Sequence, residues 1–255
     1  MSGYRDFSRF YDNLTFNVDY EKRADYIQSV LSLYTHDWGL TLDLACGTGT
    51  LTTILKKRGV DIFGVDASQE MLSEAMDKAY GAGVSILYLC QSMEKLNLYG
   101  TIDTCICTLD SLNHITDQAK LQTALDRVGL FMNPGGMFIF DVNTVYKHRE
   151  ILADNTFVYD TDTVFCVWQN SLEENNAVSI ELDLFERDGE SELYRRSCES
   201  FRERAYEIGE LKDMLRHAGF ETLAVYDDLT TDELHSDSDR AVFVARIVDV
   251  RNKEM

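Results

Sequence analysis

Leu42-Asp43-Leu44-Ala45-Cys46-Gly47-Thr48-Gly49-Thr50-Leu51 runs from an apolar, strand-like stretch through a turn of small residues into a helical pattern. Glycines in such a turn let the backbone approach a ligand closely. The N–H groups that open the following helix would face that ligand, a phosphate or a carboxylate. Seventeen residues after Gly49, Asp66 ends the second apolar run, where a carboxylate can accept both hydroxyls of a ribose. A dinucleotide-binding turn would place a third glycine at position 52, and this chain has Thr52 there.

Outward from that turn, short apolar runs alternate with helical patterns between residues 40 and 143, the signature of βαβ units feeding a parallel sheet. Strands are expected near 40–45, 61–66, 84–89, 102–107 and 136–142. Leu51, Ile54 and Leu55, then Met71, Leu72, Ala75 and Met76, then Leu121, Leu125, Val128 and Leu130 recur at helical spacing and are expected to pack on the sheet. The only proline, Pro134, precedes Gly135-Gly136 and reads as a turn between a helix and the next strand. After Asn143 the stretches 156–169, 176–186 and 193–206 show strand-like alternation. Helical spacing returns at Ile208, Leu211, Met214 and Leu215, and strands near 222–227 and 240–248 complete the first sheet.

The fold class so predicted is α/β, a doubly wound, Rossmann-like mixed seven-stranded sheet with an antiparallel β insertion after the fifth strand. Residues 1–39 read as an N-terminal helical lid segment, with a helix marked by Tyr26, Ile27, Val30 and Leu31 and an aromatic stretch holding Phe7, Phe10, Tyr11, Phe16 and Tyr20. Residues 40–143 and 207–255 read as the cofactor-binding α/β domain, and 144–206 as the insertion covering the acceptor site.

With 255 residues, 45% of them hydrophobic and 11% aromatic, the chain can bury a core. It has no run of eighteen apolar residues and no basic, apolar leader after Met1, so a cytoplasmic protein without membrane contact is expected. Six cysteines without a CxxC pair suit free thiols in a reducing compartment, and no metal site is expected. The net charge of −20 would repel a polyanion, which argues against nucleic acid as a partner. Residues 151–255 hold 25 Asp and Glu against 11 Lys and Arg. The oligomeric state is left open.

The segment from Asp43 to Gly49 resembles the first motif of the class I S-adenosylmethionine-dependent methyltransferases: an acidic residue, a small turn and Gly-x-Gly. Asp66, in Gly64-Val65-Asp66-Ala67-Ser68, is similar to the family's ribose-binding acid, and Met71 to a residue that packs on the adenine. Gln91-Ser92-Met93 falls where the family commonly has an acid contacting the adenine amine, with Ser92 in that acid's place. Thr108-Leu109-Asp110-Ser111-Leu112-Asn113-His114 falls at the catalytic-side motif, and Asn133-Pro134-Gly135-Gly136 resembles the loop before the fifth strand. Motif by motif the likeness covers residues 38–143. The N-terminal aromatic segment and the insertion also look similar to small-molecule N-methyltransferases of the glycine methyltransferase type.

The resemblance implies transfer of a methyl group from S-adenosylmethionine to a small-molecule acceptor, at N or O. Asp43, Ala45, Cys46, Gly47 and Gly49 would receive the methionine part, Asp66 and Ala67 the ribose side, Met71, Gln91, Ser92 and Met93 the adenine, with Thr108 nearby. Such a displacement needs donor and acceptor aligned in a dry pocket and, for an ammonium or hydroxyl acceptor, a base. His114, Asp110 and Tyr11 are the candidates. His114 could instead have a capping or structural role, Asp110 could be a turn residue bonding its own backbone, and Tyr11 could only pack. Tyr146 and His148 are weaker candidates for lining the acceptor side, and Cys46 reads as a small turn residue rather than a nucleophile. The alternatives are a nicotinamide-dependent oxidoreductase, a non-catalytic S-adenosylmethionine-binding or protein-partner module, and methylation of protein or RNA.

Overall fold

A computed structural model of the chain describes residues 11, 14, 15, 18–187 and 193–248. Phe7, Phe10 and Phe16 of the aromatic stretch lie outside the described residues. Helix α1 (Tyr20–Leu33) starts where the Asp19 carboxylate accepts the Lys22 N–H, and it buries Ala24, Ile27, Val30 and Leu31.

The chain then alternates through β1 (Leu40–Leu44), α2 (Thr50–Lys57), β2 (Asp61–Asp66), α3 (Gln69–Gly81), β3 (Tyr88–Cys90), β4 (Ile102–Cys107), α4 (Gln118–Phe131) and β5 (Met132–Asn143). It leaves this sheet for a second one made of β6 (Thr156–Asp160), β7 (Val164–Leu172), β8 (Ala177–Arg187) and β9 (Tyr194–Arg204). It returns through α5 (Ile208–His217), β10 (Phe220–Asp227) and β11 (Arg240–Ile247).

The main sheet has seven strands in the order β10-β11-β5-β4-β1-β2-β3. Strand β1 pairs parallel with β2 and β4, and β4 with β5, while β11 runs antiparallel to both β5 and β10. Strand order reverses between β1 and β4, and at such a reversal the helices diverge and leave a crevice beyond the carboxyl ends of the strands. The positions after Leu44, Asp66, Cys107 and Asn143 all open onto that edge. The strands are apolar on both faces because helices cover both: Leu42, Leu44, Cys105, Phe138 and Phe140 belong to one core cluster, Ile62, Ile106 and Ile139 to the other.

The second sheet is an antiparallel meander, β6-β7-β8-β9. Along β8, Val178, Ile180, Leu182 and Leu184 are buried and the residues between them are not, the alternation of a sheet packed on one face only. That face joins Met71, Leu152, Val164 and Cys166, with Tyr11 and Leu14 against it.

Four local expectations differ, and the simplest is Leu130, which is exposed near the end of α4 where Leu121, Leu125 and Val128 are buried. The third strand is Tyr88–Cys90 and not 84–89, because this edge strand pairs on one side only and Leu87 is exposed. Pro134 lies within the β5 span, where Met132 pairs Ile102 and the next pair is Met137 with Thr104; residues 133–136 therefore bulge opposite Asp103, a place where a missing N–H costs no ladder bond. The apolar stripe of α3 continues from Ala75 to Ala79, four residues on, and leaves Met76 exposed.

The two sheets are cross-braced by Asn113, which is fully buried. Its Nδ2 donates to the Asn143 carbonyl at the end of β5 (3.1 Å) and to the Arg204 carbonyl at the end of β9 (3.0 Å), and its Oδ1 accepts the Asn143 N–H (3.0 Å). Three neutral bonds are lost and their backbone partners stay buried in Asn113→Ala. The substitution is expected to cost about 3 kcal/mol, measured as a lower urea midpoint.

Candidate active site

The turn after β1 owes its shape to positive φ angles at Ala45 (59°), Gly47 (53°) and Gly49 (68°). The two glycines are needed for different reasons. A Cβ on Gly49 would lie 2.6 Å from the Tyr88 hydroxyl and 2.8 Å from the Ala75 Cβ, so the turn packs on α3 and β3 only with glycine there. A Cβ on Gly47 would meet nothing within 4 Å. Gly47 therefore faces open space beside Asp66, and this cradle at the mouth of the crevice can receive a ligand.

Asp66 is held in place by backbone donors: Gly47 N–H to Oδ2 (2.9 Å) and Ser68 N–H to Oδ1 (2.8 Å). Burial raises its carboxyl pKa, and these N–H groups oppose the rise. Asp43 is buried, and the Thr52 hydroxyl donates to its Oδ2 at 2.6 Å. Burial pushes this carboxyl up to about 7 despite that bond. Thr52, the residue in place of a third glycine, is thus the partner of the first motif acid. From α3, Lys78 donates to the Thr48 hydroxyl (3.0 Å) and to that of Thr50, tying the turn to the helix beside it. Burial raises the Cys46 thiol well above its usual range, and its Sγ packs close to Gly64, which suits a packing residue and not a nucleophile.

The residues expected around the adenine are spread more widely. The Gln91 amide is bonded to the Asn97 backbone at 2.8 and 3.2 Å and closes the loop from 91 to 97. Ser92 precedes a 3-10 turn at Met93–Lys95, and Met93 packs on the main core. Met71 is buried in the cluster under the second sheet, the same cluster that Tyr11 joins. The Ala67 carbonyl accepts from the Cys90 thiol at 3.6 Å.

On the other side of the crevice, β4 ends in a turn where Leu109 (φ 58°) and Asp110 (φ 53°) are both left-handed. Two such non-glycine residues in succession are strained. Their N–H groups both donate to the Asp141 carboxylate of β5, at 2.9 and 2.8 Å. The same carboxylate pairs with Arg23 of α1 (3.1 Å) and with Arg240 of β11, and Arg240 reaches on to the Asp110 Oδ1 (2.6 Å). The Asp110 carboxylate thus goes to an arginine and makes no cap to its own turn. Burial acts to raise its pKa, but Arg240, Lys147 and His114 together hold it well below the usual carboxylate range. Thr108 closes the turn by accepting the Ser111 hydroxyl at its carbonyl (2.8 Å).

His114 ends the 3-10 turn Ser111–His114 and is about one third exposed at 33%. A proton on its ring acts electrostatically on Asp66. Its Nε2 lies 3.7 Å from Oε1 of Glu203, a buried carboxylate on β9. His148 is fully buried in the π-helical segment Lys147–Leu152, 3.7 Å from the other oxygen of Glu203. Tyr146 is half-buried just before it. Among the described residues, Asp110, His114 and Glu203 place one donor atom each within 4.8 Å of one another, a spacing a metal ion could use. Lys147 acts on both carboxylates and Arg240 pairs with Asp110, so the site's own cations already oppose them.

Residues 41–136 match a family model described as a methyltransferase domain. A Geobacillus protein named as a methyltransferase is 31% identical over 245 residues, covering 95% of this chain and 99% of its own. The chain belongs to the S-adenosylmethionine-dependent methyltransferases. The solved structure of a member from Clostridium acetobutylicum is 35% identical with a TM-score of 0.88, covering 96% of this chain and 99% of that one. The ubiquinone biosynthesis O-methyltransferase of Methylococcus capsulatus is 32% identical over 120 residues, 46% of this chain and 48% of its own.

The methyltransferase uses S-adenosylmethionine, whose sulfonium supplies an activated methyl group. The nicotinamide alternative is overturned by this family membership, and Thr52 now has a physical role. The open face of Gly47 and the backbone-anchored carboxylate of Asp66 fit the cofactor's demands for close backbone approach and a ribose partner. No described helix is long and apolar enough to cross a membrane.

Sequence reasoning missed Asp141, Arg240, Asn143 and Glu203. Asp141 and Asn143 flank Val142 at the end of an otherwise apolar β5, and a polar residue closing an apolar strand of this sheet was the available signal. Glu203 had none: β9 is charged along much of its length.

Two outcomes test this construction. Replacing Asp141 by Asn leaves Arg23 and Arg240 buried with one partner fewer, and a loss of about 3–5 kcal/mol is expected in chemical denaturation. Gly47→Ala is expected to cost about 1 kcal/mol for its left-handed φ yet to weaken S-adenosylmethionine binding, whereas Gly49→Ala is expected to destabilise the fold itself. Melting and calorimetry on the two variants separate the effects.

Proposed function

We propose that this methyltransferase transfers the methyl group to a nitrogen or oxygen of a small molecule, with His114 taking the acceptor's proton. The carrying observation is the position of His114: at the carboxyl end of β4, across the crevice from Asp66, with a strand of the second sheet against its ring. A base there can reach an acceptor placed in line with the donor methyl, and the second sheet would cover that acceptor and exclude water. The net charge of −20 supports a small neutral or cationic acceptor over RNA. The partial likeness to a ubiquinone biosynthesis O-methyltransferase supports a small-molecule acceptor as well. Tyr11, packed with Met71 under the second sheet, is assigned a covering role, and Asp110 the role of holding the turn that presents His114.

On the donor side, Asp43, Ala45, Gly47 and Gly49 are proposed to receive the methionine end and Asp66 the ribose. Calorimetric titration is expected to give saturable binding of S-adenosylmethionine and S-adenosylhomocysteine, none of NAD, and weaker binding in Asp66→Ala. Because burial raises Asp43 to about 7 and an ammonium favours its ionised form, affinity is expected to increase as pH rises from 6 to 7.5. Asp43→Asn is expected to flatten that dependence.

The acceptor is sought by incubating the enzyme and S-adenosylmethionine with a pool of small amines and hydroxyl compounds, reading methylated products by mass. His114→Ala is expected to keep cofactor affinity and lose on the order of 10²–10⁴ in turnover. Methylation of added protein or RNA but of no small molecule would overturn the proposal.

A further inference from the structure

Glu203 and Phe201 lie two residues apart on β9, so they share one face of the strand, and both meet His114. The Phe201 ring lies 5.2 Å from the His114 ring, centroid to centroid, and the Glu203 Oε1 lies 3.7 Å from its Nε2. One strand of the second sheet therefore touches the face of the imidazole and one of its two nitrogens. We infer that Phe201 and Glu203 are the positioning residues of His114: they set its ring plane and keep the proton on Nε2, leaving Nδ1 as the atom that accepts the proton of the methyl acceptor. The inference rests on His114 being the base proposed above.

The hydrogen bonds around Glu203 make this a directional arrangement. Lys147 Nζ donates to the Asn143 Oδ1 (2.8 Å), which turns the amide so that its Nδ2 donates to the Glu203 Oε2 (3.2 Å). The fully buried His148 donates its Nδ1–H to the Asn176 carbonyl (2.8 Å). Its Nε2 is consequently a lone pair, has no hydrogen-bond partner, and lies 3.7 Å from the same Oε2. A lone pair and a carboxylate oxygen that face each other in a buried site are compatible when a proton lies between them.

Burial raises the Glu203 carboxyl and lowers the His148 imidazole, and both shifts act toward the neutral pair that a proton on Oε2 would give. The remaining oxygen, Oε1, is then a carbonyl acceptor, and in the ionised form it is a carboxylate acceptor. In both states it can take a hydrogen bond from the His114 Nε2–H and can give none. Asp110 behind the turn and Lys147 after β5 also act on Glu203, Asp110 is itself paired with Arg240 on β11, and Asp66 is the carboxylate that His114 meets from the main sheet. At 3.7 Å the two atoms are beyond hydrogen-bond distance, and the inference requires them to close when ligands fill the site. In the transfer step the acceptor's N–H or O–H electron pair stays on the acceptor atom and forms the bond to the methyl carbon. The proton moves to Nδ1 of His114, and the sulfonium leaves as a neutral thioether.

The tautomer can be read without an acceptor. The full chain, labelled with ¹⁵N-histidine and saturated with S-adenosylhomocysteine, is examined by long-range ¹H–¹⁵N correlation at about pH 8, above the imidazole titration range. There are five histidines, and single replacements assign them. His114 is expected to show the Nε2–H pattern and His148 the Nδ1–H pattern. Glu203→Gln, which keeps an oxygen for His114 and supplies N–H for His148, is expected to retain both. Glu203→Met, of similar length without polar atoms, is expected to leave His114 as a mixture, and Phe201→Leu to broaden its signals.

An Nδ1–H or mixed pattern in the wild type, or a Glu203→Met spectrum unchanged at His114, would overturn the inference. If Glu203→Met does not fold, the wild-type pattern and its retention in Glu203→Gln decide. S-adenosylhomocysteine affinity is measured on the same samples, and no acceptor is present. Failure of the tautomer prediction is therefore distinguishable from failure of the small-molecule reading, which the product assay decides.

Discussion

The carboxylate of Asp141 is the point on which three parts of this methyltransferase converge. It lies on β5 beside the switch in strand order, and it accepts two backbone N–H groups from the strained turn after β4, one guanidinium from α1 and another from β11. A left-handed pair of non-glycine residues is unfavourable alone and persists where its surroundings over-determine it. Here two charge-assisted hydrogen bonds do so, and two arginines pair with the accepting carboxylate. The cost of burying that much charge is offset by mutual pairing, so the network favours one arrangement of turn, helix and strand over looser ones.

From that turn the chemistry is distributed between two sheets. The main sheet carries the proposed donor side, where Gly47 faces open space and Asp66 is fixed by backbone N–H groups. The second sheet meets the turn through β9, and Asn113 joins β9, β5 and the His114 turn in one set of hydrogen bonds. Methyl transfer asks the protein chiefly for alignment and exclusion of water, because the sulfonium already supplies the leaving group. The proposed base, His114, lies where the parallel sheet meets the antiparallel one, which suits that demand.

Reading residues in order reached the architecture because the governing patterns are local. The alternation of apolar runs and helical stripes from 40 to 143, the strict alternation along β8, and the small turn from Ala45 to Gly49 each record the neighbours of a residue within a few positions. The same reading went astray where the deciding contact was distant. The third strand shortened because it has one partner strand, and Pro134 was accommodated in a bulge because Asp103 of β4 lies opposite it. Thr52 looked like a defect in a glycine motif until the buried carboxylate nine residues earlier was seen to accept its hydroxyl.

Sequence alone therefore determined the fold class and the turn after β1, since strand–turn–helix geometry and glycine's access to left-handed φ are written in consecutive residues, and the cofactor followed from the resemblance of those motifs to a known family. Tertiary structure decided the surroundings of His114. Glu203 stands 89 positions from His114, and Arg240 130 from Asp110, so no periodicity or spacing relates them. Only the packing of β9 and β11 around the β4 turn brings those charges within a few ångströms, and the tautomer and charge of each group depend on that distance.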